Sequence, residues 1–115
     1  MATRIYHNPK CSTSRKVLDA LRRAGEEPEI VEYLKTPPTK NELKDLLKRM
    51  KMRPRDLLRK KEALYKELSL DDERKSDDQI IDAMLANPIL IERPIVVTRK
   101  GVRLGRPPEI VNEIL

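Results

Sequence analysis

A chain of 115 residues suits one domain with a core of ordinary size, so disulfide staples are not needed. Apolar residues make up 38% and charged residues another 38%, and the regular recurrence of apolar runs excludes disorder; without Phe or Trp the core is expected from Leu, Ile, Val, Met and Ala, with the three Tyr near its edges. The formal charge of +6 favours anionic partners, yet basic residues are interleaved with acidic ones and aromatics are scarce, so nucleic acid is not expected; no stretch approaches the ~18 apolar residues of a membrane span, and one cysteine excludes an internal disulfide.

Thr3-Arg4-Ile5-Tyr6 alternates and reads as a short strand, and His7-Asn8-Pro9-Lys10-Cys11 is a turn because Asn-Pro is a turn signal. A helix follows from Ser12, with Val17, Leu18, Leu21 and Ala24 on one face and Gly25 as its cap. Glu29 to Leu34 is a second strand, and the strand–helix–strand order implies a parallel pair. Thr39 and Glu42 form a capping box before Leu43, Leu46, Leu47 and Met50 at helical spacing. Pro54 starts a short helix running through Arg59, and Glu62 to Leu70 is a further short helix or turn. Ser76 and Gln79 form a second capping box, Ile80, Ile81, Met84 and Leu85 give that helix its apolar face, and Asn87-Pro88 stops it.

The last third changes character. Ile95-Val96-Val97-Thr98 and Val102-Arg103-Leu104 flank Arg99-Lys100-Gly101 and read as an antiparallel hairpin. Pro107-Pro108-Glu109 opens a closing helix with Ile110, Val111, Ile114 and Leu115 apolar. The layout is α/β: βαβ, then helices, then ββα, a four-stranded mixed sheet of the thioredoxin or glutaredoxin arrangement. Residues 1–115 are expected to form a single domain, with an inserted helical lobe over about 39–86. Met1 to Ile5 lacks the apolar run of a signal peptide, so a cytoplasmic protein is the default.

Cys11 carries the sharpest chemical signal. A lone cysteine is commonly a small buried apolar residue. This one sits between a strand and a helix N-terminus, where unpaired N–H groups and the macrodipole favour a thiolate. Ser12, Thr13 and Ser14 offer hydroxyls, Arg15 a charge, and His7 lies in the same turn. His7 could orient the turn, or act as a base or electrostatic partner. Position 14 is Ser, so C-x-x-C chemistry is excluded and any thiol exchange at Cys11 needs an external second thiol. One Cys and one His cannot complete a tetrahedral zinc site, so no metal is expected. Glu62, Glu67, Asp71, Asp72 and Glu73 show no dyad spacing and read as solvated surface. Arginine suits tetrahedral oxyanions through its planar fork. The residues alone do not single out Arg59, Arg93 and Arg106 from the 25 Lys and Arg.

The segments Ile5 to Arg15, Tyr33 to Pro38, Leu57 to Lys60, Asn87 to Val97 and Arg106 to Glu109, in that order, resemble the glutathione- and glutaredoxin-coupled arsenate reductases of bacteria. Glu62 to Leu68 and Gly105 to Glu109 are similar to a short arsenate-reductase-related branch. The resemblance implies a thioredoxin-like domain with Cys11 as nucleophile, His7 helping to hold it as a thiolate, and Arg59, Arg93 and Arg106 binding the oxyanion. It also implies a cis bond at Arg93-Pro94, where propensity alone favours trans. Arsenate would be the substrate of a monomer with no bound cofactor, glutathione the co-substrate and glutaredoxin the partner. The alternatives on this scaffold are another glutathione-linked thiol oxidoreductase and an RNA-polymerase-binding regulator.

Overall fold

The computed structural model describes residues 3–115. Its elements run β1 (Arg4–Tyr6), α1 (Ser12–Arg23), β2 (Glu29–Val31), α2 (Lys40–Met50), α3 (Ala63–Glu67), α4 (Asp77–Ala86), β3 (Ile95–Thr98) and β4 (Gly101–Leu104), with 3-10 turns at Pro54–Leu57, Pro88–Leu90 and Pro108–Ile114. The chain divides into two compact units, one ending at Thr36 and resuming over Arg93–Leu115, the other Pro37–Glu92.

The first unit holds a four-stranded mixed sheet of order β2-β1-β3-β4. β1 pairs parallel with β2, Ile5 opposite Ile30, and antiparallel with β3, Ile5 opposite Val96. β3 and β4 form the hairpin foreseen in the β-branched run, with Val97 opposite Val102. α1 buries Val17, Leu18 and Leu21 in a cluster with Ile5, Val96, Val111 and Ile114. Thr98 is buried and donates its hydroxyl to the Ile114 carbonyl at 2.6 Å, which holds the closing turn against β3.

In this unit four details differ from the sequence expectation. The second strand ends at Val31 rather than Leu34, because the Glu32 carbonyl captures the N–H groups of Lys35 and Thr36 and turns the chain. Tyr33 is carried inward by that turn, and Tyr6 and Tyr33 are 4% and 2% exposed. In a chain without Phe or Trp these rings fill the core rather than its edges. Ala24 lies beyond the end of α1 and is exposed. The closing helix is 3-10, its Ile110 N–H bonding Pro107 three residues back.

The second unit is helical. Both capping boxes form: Thr39 with Glu42 on α2, and Ser76 with Gln79 on α4. α2 and α4 pack together, and Lys40–Asp82 and Lys44–Asp78 pair across them at 3.0 and 3.2 Å. The Pro54 helix stops at Leu57 instead of continuing to Arg59. Leu58 leaves it to bridge Ile91, and the Arg59 N–H bonds the Leu90 carbonyl at 2.7 Å, so extended pairing wins over a further helical turn. Arg55 donates to the carbonyls of Leu70, Asp72 and Lys75, fastening the loop between α3 and α4.

Each hydroxyl cap satisfies an N–H group that the helix itself leaves unbonded. Thr39→Ala and Ser76→Ala should each lower the unfolding free energy by about 1 kcal/mol in urea denaturation. Thr36→Ala, an exposed position outside either cap, is expected to unfold as the parent does.

Candidate active site

Cys11 is the residue at which β1's exit loop becomes α1. The loop is fixed before the helix begins. The His7 N–H donates to the Val31 carbonyl at 2.8 Å, the Cys11 N–H to the Asn8 carbonyl at 3.0 Å, and the Lys10 N–H to the Asn8 side-chain oxygen at 3.0 Å. Arg15 reaches back to the Pro9 carbonyl at 2.8 Å. The sulfur is half-buried and therefore both reachable and incompletely solvated.

Two opposing effects act on its charge. Partial burial raises the Cys11 pKa. The Ser14 N–H, the positive charge of Arg93, and hydrogen bonds from Arg106 and Arg93 lower it, and together they hold it below the ordinary thiol value. The Ser14 N–H is the largest single lowering effect, and the two arginines add to it. Arg93 is only 6% exposed, so solvent screens its charge little, whereas Arg106 is exposed.

The arginines sit at two Arg-Pro junctions that flank the β3–β4 hairpin. Arg93-Pro94 and Arg106-Pro107 are cis peptides. The first is the bond anticipated from the resemblance; the second was not anticipated. The Gly105 N–H donates to the Pro94 carbonyl at 2.8 Å, and Arg106 Nη1 donates to the Arg93 carbonyl at 3.0 Å. A Cβ at Gly105 would stand 3.0 Å from Val17 Cγ2 and 3.1 Å from Pro94 Cγ, so this close approach favours glycine, and any side chain there makes Val17 or the Pro94 ring give way. Gly105, immediately before Arg106-Pro107, is a positioning residue that the sequence reading passed over.

His7 is buried, and its Nδ1 lies 2.6 Å from Ser14 Oγ, which also accepts the Asn8 N–H at 3.1 Å. Ser14's hydroxyl thus serves the histidine and the loop, while its backbone serves the sulfur. Burial lowers the His7 pKa; Glu32 opposes this, and Arg22 and Arg15 add to it. The imidazole is thereby biased toward its neutral form. Arg59 belongs to the second unit, where its guanidinium pairs with Glu62 at 2.8 Å. Glu62 is therefore not the freely solvated carboxylate that its spacing suggested; a partly buried arginine three residues away orders it. Among the described residues no group of three or more His, Cys, Asp or Glu is placed to hold a metal ion.

Arg93→Gln should slow alkylation of Cys11 by iodoacetamide at pH 7 roughly tenfold, since losing an adjacent cation raises a thiol pKa by about one unit or more. Arg106→Gln, at an exposed position, should slow it less; an Arg93→Gln rate equal to the parent's would remove Arg93 from the thiolate's environment. For His7, the unfolded chain binds its proton near pH 6.5 and the folded chain only at lower pH, so stability falls on acidification through that window. Urea midpoints measured between pH 7 and 5 should drop less in His7→Gln than in the parent.

Comparison with known proteins gives a consistent result. The pattern of the ArsC family matches residues 6–114. The chain is 54% identical over 111 residues to the arsenate reductase of Escherichia coli K12, covering 96% of this chain and 79% of that protein. It is 53% identical over 113 residues to the protein YfgD of the same organism, covering 97% and 95% respectively. Among solved structures, an arsenate reductase from Vibrio cholerae superposes with a TM-score of 0.96 at 50% identity, covering 100% of this chain and 98% of that one. A full-length pattern match, relatives above half identity and a shared four-stranded mixed sheet agree, and the chain belongs to the ArsC family.

Proposed function

We propose that this protein is an arsenate reductase, an oxidoreductase in which Cys11 is the nucleophile. The observation that carries this reading is the half-buried sulfur of Cys11, its charge supported by the Ser14 N–H, Arg93 and Arg106. The same cations that favour a thiolate also neutralise an approaching tetrahedral oxyanion. Similarity to named arsenate reductases over almost the whole chain supports arsenate as that oxyanion.

The Cys11 thiolate attacks arsenic and an As–O bond breaks, the oxygen leaving as water after protonation. Arg93 and Arg106 carry the charge of the remaining oxygens. On the family resemblance alone, Arg59 is the third oxyanion contact. This chain has no second cysteine, so the next thiol comes from outside. Glutathione displaces a second oxygen, giving an arsenic(V) centre bonded to Cys11 and to glutathione. The thiolate of glutaredoxin then attacks the glutathione sulfur. A disulfide forms between them, the S–As electron pair stays on arsenic, and arsenic becomes trivalent. Water releases arsenite and returns Cys11 as a thiolate. His7 acts through Ser14 as a positioning residue, holding the loop that presents the sulfur. Such a cycle suits a monomer in the reducing cytoplasm, with no bound cofactor.

In an assay coupling arsenate, glutathione and glutaredoxin to NADPH oxidation, the parent protein should turn over and Cys11→Ser should lose all measurable activity. Arg59→Ala should raise the KM for arsenate while leaving that for glutathione unchanged. Turnover of glutathione mixed disulfides without any arsenate reduction would overturn arsenate as the substrate.

A further inference from the structure

Arg59 and Glu62 are the two ends of one tight turn, Arg59-Lys60-Lys61-Glu62, closed by the Glu62 N–H donating to the Arg59 carbonyl at 3.1 Å. The turn sorts its side chains. Lys60 and Lys61 are exposed, whereas Arg59 and Glu62 meet and pair at 2.8 Å. Their side chains are 31% and 23% exposed, against 78% and 54% in the surface pair of Arg23 and Asp19. Solvent therefore screens the Arg59–Glu62 contact less than an ordinary surface pair.

The backbone beneath this pair is fixed on both sides. The Arg59 N–H is bonded to the Leu90 carbonyl, Leu58 bridges Ile91, and the Glu92 N–H returns to the Leu57 carbonyl. On the other side the Glu62 carbonyl accepts the Tyr65 N–H as α3 begins. Glu62 stands at the N-cap of α3, yet its side chain makes no cap bond; the carboxylate goes to Arg59 instead. The pairing is thus directed at the guanidinium and is not a by-product of helix capping.

A guanidinium carries more N–H donors in its planar fork than one carboxylate fills, so Arg59 can hold an anion while still paired with Glu62. An anion oxygen on the same guanidinium then lies beside the Glu62 carboxylate. A carboxylate paired with a guanidinium only accepts hydrogen bonds. It gains from an oxyanion that keeps a proton and repels one that has none. At neutral pH arsenate and phosphate keep at least one proton, whereas sulfate, also tetrahedral, keeps none. We propose that Glu62 is a specificity residue of the oxyanion site: it accepts the O–H of a protonated tetrahedral oxyanion held by Arg59 and disfavours a fully ionised one of the same shape. The proposal rests on the reading of Arg59 as an oxyanion contact given above. Arginines alone attract all three anions; the carboxylate supplies the discrimination.

The test titrates inorganic phosphate and, separately, sulfate into the protein at neutral pH and constant ionic strength, with both affinities read from the amide shifts of Arg59 and Glu62 by NMR. The parent should bind phosphate about tenfold or more tighter than sulfate, the scale of a hydrogen bond to a charged group. Glu62→Gln should narrow that ratio to about threefold or less, and Glu62→Asp, which keeps a carboxylate, should restore part of it. Glu67→Gln, an exposed change on α3, should bind both anions as the parent does. Parent-like amide shifts away from the turn report the folding of Glu62→Gln. In the coupled assay sulfate should inhibit Glu62→Gln more strongly than the parent. An unchanged ratio, or equal strengthening of both anions in Glu62→Gln, would make the carboxylate a source of repulsion without discrimination and overturn the proposal. Arg59→Ala separates the two readings. Weaker binding of both anions there upholds Arg59 as a contact whatever Glu62→Gln does; unchanged affinities would overturn the role of Arg59 and that of Glu62 with it.

Discussion

A half-buried sulfur tends to keep its proton, and this molecule is arranged to reverse that tendency at Cys11. Burial withdraws water from the thiolate; the Ser14 N–H and the heads of Arg93 and Arg106 replace it. The net effect is below the ordinary thiol value: the Ser14 N–H lowers it most, and the charge of Arg93, almost fully withdrawn from solvent, comes next. A surface arginine at the same distance would be screened and would contribute less. The Ser14 N–H in the first turn of α1 is the largest single contribution, and the arginines add to it.

That arrangement places demands on the scaffold well away from the sulfur. The β3–β4 hairpin begins just after Arg93-Pro94 and ends just before Gly105-Arg106. Its antiparallel register brings the two junctions together, and the Gly105 N–H to Pro94 carbonyl bond and the Arg106 guanidinium to Arg93 carbonyl bond lock them. A side chain at position 105 would push against Val17 on α1, the helix whose first turn faces the sulfur. Core packing and site geometry therefore meet at the same glycine, so bulk added there would be felt as lost stability and as altered thiol chemistry together.

Much of this was legible in the residues. The capping boxes at Thr39 and Ser76, the β-branched run of β3 and the strand–turn–helix around Cys11 are local signals, each set by a few neighbouring residues. What escaped depends on partners distant in sequence. The Glu32 carbonyl ends β2 early through a turn that β-prone Tyr33-Leu34 does not announce. Nothing in the spacing of Leu57-Leu58-Arg59 says that Leu58 pairs with Ile91 rather than extending a helix. Ser14 was read as a hydroxyl for the sulfur, but its Oγ goes to His7 and only its backbone turns to Cys11. The arginines were separable from the other cations by family resemblance alone. The structure supplies a physical reason for two of them: Arg93 and Arg106 act on the sulfur, and their junctions are bonded to each other.

Because the chain has a single cysteine, the central claim can be read without ambiguity from thiolate absorbance near 240 nm, followed against pH in the folded protein and again in 6 M guanidinium chloride. The account predicts a folded midpoint clearly below the unfolded one, which should lie near the free-thiol value of ~8.5. A folded midpoint at or above the unfolded one would show that burial prevails over Ser14, Arg93 and Arg106, and would contradict the account at its foundation.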